Sequence, residues 1–279
     1  MFRELPIAVH PEVADRLRRL ELPFGPDGID PYGVDRAELA RFLTIVRWLY
    51  RDYFTVRVHH PERVPPRGAA MLVGNHSGGV AVDGLMVVGA CFFELEPPRL
   101  AQGMADRFLA RLPFVAPATT RLGHFTGLPE HAERLLGDGR LLMVFPEGTR
   151  GTAKLYHERD SLVRFGTGFL RIAQAARVPI VPFGFVGAGE AVPTVVNLYR
   201  LGRLFGLPYV PLTPWLLPLP RPTELHVVFG EPMRFEGDES TPDEVVQQRV
   251  EQVRARIAAL IAEGRAARDG TAARREARP

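Results

Sequence analysis

Apolar residues follow two periods along this chain, one typical of buried strands and one typical of helices. Short runs that are apolar at nearly every position lie at residues 69–74, 140–145 and 178–185, and residues 55–60 alternate in strand fashion. Further strands are predicted at residues 99–103 and 223–229. Helices are predicted at residues 34–54, 84–93, 106–112, 129–137, 161–176 and 241–263. Apolar strands that alternate with helices predict an α/β fold, with a mostly parallel central sheet covered by helices on both faces.

The two ends of the chain depart from this pattern. Residues 1–33 are rich in Pro, Gly and charge, with a short helical piece near residues 12–20, and are expected to form an N-terminal arm laid over the domain. Residues 34–263 are predicted to form a single α/β domain. Residues 264–279 are rich in Arg and Ala and are expected to be a disordered basic tail.

Composition narrows the classes of partner and compartment. The formal net charge is +3, and Lys154 is the only lysine, so arginines scattered among acids supply the positive charge. Such a distribution gives no one-sided phosphate-binding stripe, and no nucleic-acid partner is expected. The single cysteine, Cys91, lies in an apolar run, which excludes a disulfide framework and favours a reducing compartment. No signal peptide or transmembrane helix is predicted, so any contact of this protein with a membrane is expected at the membrane surface.

Two predicted strands end in polar residues suited to catalysis. The strand at 69–74 leads into Asn75, His76 and a glycine pair, and Asp83 stands where the next helix begins. A neutral imidazole can accept a proton, and a carboxylate can hold it in the required tautomer. The structural alternative is that Asp83 caps a helix and that His76 is a polar residue of the core.

The strand at 140–145 runs directly into Glu147, Gly148, Thr149 and Arg150. An arginine in a turn beside glycine can bind a phosphate, and Glu147 could orient that arginine or bind a substrate hydroxyl. The alternative is a structural salt bridge at a strand end. Because the carboxyl ends of parallel strands meet at one edge, we expect this block to lie beside His76, an arrangement suited to acyl or phosphoryl transfer to an alcohol. The sequence has no Gly-x-Ser-x-Gly elbow and no zinc-type Cys/His spacing, so neither a serine nucleophile nor a metal site is expected.

Three motifs in this order resemble the glycerolipid acyltransferase family, typified by 1-acylglycerol-3-phosphate acyltransferases. They are Asn75-His76 with a following carboxylate, Phe145-Pro146-Glu147-Gly148-Thr149-Arg150, and Val178-Pro179-Ile180-Val181-Pro182, and the similarity covers roughly residues 55–235. The resemblance implies that His76 is a general base oriented by Asp83 and that residues 147–150 position the acceptor. It implies acyl-CoA or acyl carrier protein as co-substrate, with no further cofactor.

Two departures from the family pattern bear on the substrate. Six residues separate His76 from Asp83, where the family usually has four, and the glycine pair is expected to let the longer loop fold back. The family often carries a phosphate-binding arginine after the position of Gly123; here Arg121, just upstream, is the candidate substitute. This departure favours a different or neutral alcohol, and residues 154–169 resemble a branch of the family that acts on neutral acceptors.

The sequence therefore predicts an O-acyltransferase on the cytoplasmic face of the cell membrane, acting on a lysophosphatidate-like or neutral lipid alcohol. Two alternatives remain open: a thioesterase or lipid hydrolase in which His76 activates water, and a catalytically weak lipid-binding homologue. The predicted helix at 34–54 fits core packing or a membrane surface. Residues 201–217 are apolar but too rich in proline for a helix, and fit an interfacial element, an acyl-chain wall or a packed loop.

Overall fold

The computed structural model describes residues 7–105, 119–126, 128–238 and 240–276. Within these ranges the strands are β1 Thr55–His59, β2 Ala70–Gly74, β3 Ala101–Ala105, β4 Phe125–Thr126, β5 Leu141–Val144, β6 Ile180–Val186, β7 Val196–Leu198, β8 Val210–Leu212 and β9 Glu224–Phe229. Seven of them form one sheet in the order β1-β9-β6-β2-β5-β3-β4, and β7 pairs with β8 separately. All neighbours in the large sheet are parallel except β6 and β9, which confirms the mostly parallel sheet.

Helices lie on both faces of this sheet, as predicted. The helices of the described residues are α1 Pro11–Arg19, α2 Arg36–Trp48, α3 Val82–Glu94, α4 Pro129–Gly137, α5 Thr149–Thr152, α6 Gly168–Ala175, α7 Ala188–Ala191, α8 Tyr199–Leu204 and α9 Asp243–Glu276. Successive residues of a strand point to opposite faces. In β2, Leu72 therefore joins the apolar layer formed with α1, α2 and α3, while Met71 and Val73 join the layer formed with α4, α6 and α9.

The described part of the N-terminal arm is built into the first of these layers. Val13 and Leu17 of α1 are buried in the core cluster, and the Arg16 guanidinium donates a 3.0 Å hydrogen bond to Glu96. Helix α2 buries Leu39 and Leu43 and continues into a π-helical turn, so its apolar face packs on the core. Residues 1–6, and the helix predicted at 106–112, lie outside the described residues.

The expectation of a disordered tail at 264–279 is wrong for residues 264–276, because α9 continues to Glu276 instead of ending near residue 263. Gly264 allows the helix to approach the sheet: an added Cβ there would lie 3.1 Å from methyl groups of both Val186 and Val228. Further along, Arg268 forms a 2.7 Å ion pair with Glu190. Ala and Arg also have high helix propensity, so local preference and long-range contacts agree.

The helix predicted at 161–176 begins only at Gly168. The reason is that the backbone before it is held by side chains of another segment. Lys154 donates to the Ser161 carbonyl at 2.7 Å, and the Val163 amide donates to Glu147 at 2.8 Å, so these backbone groups bind side chains outside the helix.

Candidate active site

The side chain of Asn75 ends the pairing of β2 and turns the chain out of the sheet. Its Nδ2 donates to the Phe185 carbonyl at 2.9 Å, and its Oδ1 accepts from the Phe185 amide at 2.7 Å. The side-chain amide thus satisfies both backbone groups of Phe185 on β6 after the β2 backbone has left the sheet. His76 is thereby placed at the carboxyl edge of the sheet, where ligands bind in open α/β folds.

His76 and Asp83 form a hydrogen-bonded pair. Nδ1 of His76 lies 2.8 Å from Oδ2 of Asp83, whose side chain is fully buried in the first turn of α3. The same carboxylate accepts the backbone amides of Ser77 at 2.8 Å and Gly84 at 2.7 Å. A carboxylate at Nδ1 keeps the proton of the neutral ring on that nitrogen. Nε2, to which no described residue is hydrogen bonded, is therefore the proton acceptor.

The two-residue-longer loop between the pair folds back through its glycines, as expected from the sequence. Gly78 and Gly79 have φ angles of +91° and +69°, in the region that favours glycine. A Cβ on Gly78 would lie 2.6 Å from the Ala188 carbonyl oxygen, so both conformation and space require glycine there. The Gly79 amide donates to the Thr152 carbonyl at 3.0 Å, which ties the loop to α5.

Two further residues that the sequence did not single out individually fix the imidazole. The Phe145 ring stacks on it with centroids 4.1 Å apart and an interplanar angle of 16°. Gly151 lies directly beside it, because an added Cβ would be 2.7 Å from Cβ of His76. Phe145 is the first residue of the Phe145–Arg150 motif, and its place at the end of the strand predicted at 140–145 was the available signal. The sequence gives no signal for the close approach at Gly151.

Glu147 lies beside His76, as predicted from the parallel strands, but its contacts correct the role expected for it. Its carboxylate is fully buried and lies 2.9 Å from Nζ of Lys154, which is also buried. It accepts the amides of His76 at 2.9 Å and Val163 at 2.8 Å. The cation that it pairs with is thus Lys154 instead of Arg150. With both oxygens bound to the protein, Glu147 anchors the backbone of His76 and presents no free oxygen to a substrate hydroxyl.

Gly148, Thr149 and Arg150 form the rim next to this anchor. Gly148 has φ +57° and ψ −150°, and an added Cβ there would meet nothing within 4 Å, so the space beside it is open. Arg150 is exposed, and its Nη2 donates to the Arg164 carbonyl at 3.2 Å. The guanidinium has further donors for an anionic group. The rim therefore has the composition that phosphate binding needs, next to the His76 pair.

Arg121 does not join this site. It forms a 2.8 Å ion pair with the buried Glu38 of α2, and its carbonyl accepts the Asp35 amide. The same stretch before α2 contains Asp30, which pairs at 2.8 Å with Arg140 at the amino end of β5. Arg121 thus lies with the amino ends of the strands, opposite His76, and the expectation that it substitutes for a phosphate-binding arginine is wrong.

Among the described residues, no group of three or more His, Cys, Asp or Glu side chains could hold a metal ion. No helix within the same ranges is long and apolar enough to cross a membrane. The arrangement at the carboxyl edge is a buried carboxylate, an imidazole with one nitrogen available, and a cationic rim. Such an arrangement can remove a proton from a bound hydroxyl, whose oxygen can then attack an electrophile.

The comparisons with known proteins agree with this chemistry. Residues 55–186 match the sequence model of the acyltransferase family, a range that contains the His76–Asp83 pair and the rim. Over these residues the chain is therefore similar to the acyltransferase family. The α/β fold matches the crystal structure of a 1-acyl-sn-glycerophosphate acyltransferase from Thermotoga maritima with a TM-score of 0.51, at 18% identity, covering 79% of this chain and 78% of that one.

Relatives of known sequence extend the similarity. An uncharacterised protein of Mycobacterium tuberculosis is 36% identical over 218 residues, which cover 75% of this chain and 61% of that protein. A Gallus gallus protein named DGAT1/2-independent enzyme synthesizing storage lipids is 26% identical over 216 residues, 76% of this chain and 60% of its own length. The chain thus spans about three fifths of the length of these relatives.

Proposed function

We propose that this chain is an O-acyltransferase that transfers a fatty acyl group from acyl-CoA or acyl carrier protein to a lipid alcohol at a membrane surface. His76 is the general base, and Asp83 orients it. The observation that carries the proposal is the 2.8 Å contact between His76 Nδ1 and Asp83 at the edge of an acyltransferase-family sheet. No acyl-enzyme is needed, since the acceptor oxygen itself can attack the thioester.

The proton transfers of the proposed reaction require only His76 and Asp83. Nε2 of His76 takes the hydroxyl proton while the acceptor oxygen attacks the thioester carbonyl. Asp83 stabilises the imidazolium that forms. The tetrahedral intermediate collapses, the C–S bond breaks, and the thiolate takes the proton from Nε2. The products are an ester and a free thiol, and His76 returns to its starting state.

The acceptor that we propose is a neutral lipid alcohol in preference to a lysophosphatidate. Arg121, the candidate for a second phosphate contact, is paired with Glu38 at the other edge of the sheet. Of the residues predicted to bind substrate, only Arg150 offers a cation at the rim. The printed name of the Gallus gallus relative, which concerns storage lipids, supports the same choice.

A panel of acceptors tests this proposal. Purified protein is given a long-chain acyl-CoA and either monoacylglycerol, diacylglycerol, a fatty alcohol or lysophosphatidate in mixed micelles, with thiol release and product mass measured. We expect ester formation that depends on the acceptor and is fastest with a neutral alcohol. His76→Ala should lower the rate by roughly 10²- to 10⁴-fold. His131→Ala, at an exposed position on α4, is the matched control and should keep the parent rate.

Each contrary outcome points to one element of the proposal. Thiol release without acceptor, with free fatty acid as product, would establish the hydrolase alternative. Preference for lysophosphatidate would refute the neutral acceptor, and full activity of His76→Ala would refute the assigned base. The lipid-binding alternative requires that no donor and acceptor pair give turnover.

A further inference from the structure

The most exposed apolar surface of the described chain lies in residues 195–219, here called the apolar lobe. It contains β7, β8, α8 and the proline-rich segment that follows them. Its large apolar side chains point outward: Leu204 is 76% exposed and Leu216 is 70% exposed, and Phe205, Leu217 and Leu219 are also exposed. Monomeric soluble domains rarely expose so many neighbouring apolar residues unless the surface binds something.

The lobe is a folded unit in which these side chains are held outward. Antiparallel pairing of β7 with β8 forms its base, and the Tyr199 and Tyr209 rings lie 6.1 Å apart across it. The Thr213 hydroxyl donates to the Leu217 carbonyl at 2.6 Å, closing a turn in which Leu216 adopts φ +70°. A leucine in this region is strained, and such strain persists where the surrounding contacts fix it. The exposed leucines are thus fixed in place by the fold.

The charge of the lobe has one sign. Residues 191–223 contain no Asp or Glu, and the charged residues among them are Arg200, Arg203 and Arg221. Arg200 and Arg203 are exposed on α8, between the outward Tyr199 and Leu204. Exposed leucines and aromatic rings with arginines beside them, and no acids, are the composition of surfaces that lie in the interface of an anionic bilayer.

The lobe is joined to the loop that carries the catalytic pair. The hydroxyl of Tyr209 contacts the Thr152 hydroxyl and lies 3.3 Å from the Gly79 carbonyl. A Cβ on Gly79 would lie 3.0 Å from Pro211 of β8. A surface that binds the apolar lobe therefore also lies next to the loop between His76 and Asp83.

We propose that the apolar lobe inserts into the interfacial region of an anionic lipid bilayer, with Leu216 and Leu217 in the acyl boundary and Arg200 and Arg203 at the headgroups. A second copy of this chain is a poorer occupant, because a two-fold contact would bring the same arginines together without acids to balance them. This proposal rests on the proposed function only in that the lipid alcohol acceptor would come from the bilayer. Binding of the apolar lobe to lipid requires no catalysis.

The two tryptophans provide the test. In Trp48→Phe the emission reports Trp215 alone, on the lobe. We expect a blue shift when this protein meets vesicles of phosphatidylcholine with 30% phosphatidylglycerol, and quenching when the lipids are brominated near the glycerol. Adding Leu216→Asp and Leu217→Asp should weaken partitioning at least about 10-fold. Arg200→Gln with Arg203→Gln should weaken it about 10-fold or more on anionic vesicles and little on neutral ones, since each arginine near an anionic surface contributes about fivefold.

Leu128→Asp, on the same Trp48→Phe background, is the matched control. Leu128 is an exposed leucine outside the lobe, at the N-cap of α4, where Asp is a favoured residue. Partitioning equal to that of the parent is expected for it. Equal partitioning of the Leu216/Leu217 variant, or a lipid-free dimer in sedimentation that the same variant dissociates, would overturn the proposal. Binding to vesicles without acyl transfer would support the role of the lobe and would count only against the proposed function.

Discussion

Replacing Lys154 with Met tests whether the buried Lys154–Glu147 pair holds the site together. Nζ of Lys154 lies 2.9 Å from one Glu147 oxygen and 3.1 Å from the other, and both side chains are at most 2% exposed. Met has a similar length and no charge. The substitution leaves the Glu147 carboxylate buried, with two backbone amides as its partners. Breaking a buried pair from one side costs about 3–5 kcal/mol, and those amides place the expected loss at about 3 kcal/mol.

The assay is urea unfolding followed by circular dichroism, with the free energy of unfolding taken from the midpoint and the slope. Lys154→Met with Glu147→Gln removes both charges and should recover at least about 1 kcal/mol of the loss, because no buried charge remains. Arg150→Met, a basic residue of the same region that is exposed, is the control and should change stability by less than about 0.5 kcal/mol.

Two results would contradict this role of the Lys154–Glu147 pair. A loss below about 1 kcal/mol in Lys154→Met would mean that the pair behaves like an exposed salt bridge. A double variant that is no more stable than Lys154→Met would mean that the buried charge is not the source of the loss. Since Glu147 binds the His76 amide, the single variant should also lose acyl transfer at temperatures where it remains folded.

Other experiments address the Asp83 carboxylate, the Cys91 thiol and the buried histidines His59 and His226. Asp83→Asn should lower the rate of acyl transfer by about 10²- to 10⁴-fold with an unchanged circular dichroism spectrum, because the amide can hold the wrong tautomer; a rate within threefold of the parent would exclude the pair. The Cys91 thiol is buried, which raises its pKa to about 12, so a disulfide reagent should label it only after unfolding, and rapid labelling of the native protein would contradict its placement. Nε2 of His59 on β1 lies 3.0 Å from Nδ1 of His226 on β9, and burial lowers the pKa of both imidazoles. The unfolded chain therefore binds more protons than the folded one as the pH falls from 7.5 to 5.5, and the urea midpoint should fall with it. His226→Asn should make the midpoint depend less on pH, and an unchanged dependence would count against the role of the His59–His226 pair.

The strands of the large sheet other than β4 could be predicted to within two residues, because most are runs of apolar residues between polar ones and residues 55–60 alternate in strand fashion. The placement of β9 between β1 and β6, parallel to β1 and antiparallel to β6, could not, since the orientation of a strand depends on partners far along the chain. Contacts with distant parts of the chain also explain why the start of α6 and the end of α9 were predicted wrongly. The start of α6 is set by Glu147 and Lys154, and the length of α9 by the sheet face that it covers.

Within the site, the positions of residues at the ends of predicted strands indicated which of them lie close together. Their roles depend on side-chain contacts that only the structure shows. His76 and Glu147 were expected at one edge because their strands are parallel. The ion pair between Glu147 and Lys154 could not be predicted from the sequence, because an ion pair between buried side chains has no local sequence pattern. Arg121 shows the opposite case, because a position before a strand places a residue at the amino edge, away from His76.

The Asn75 clamp on Phe185 bears on the spacing between His76 and Asp83. The clamp fixes where His76 leaves the sheet, and the first turn of α3 fixes Asp83 independently. The 2.8 Å separation between them is therefore set by two anchored ends. The intervening loop can change in length without changing this separation, provided that its glycines let it return, so two proteins with different His-to-Asp spacing can hold the pair in the same geometry.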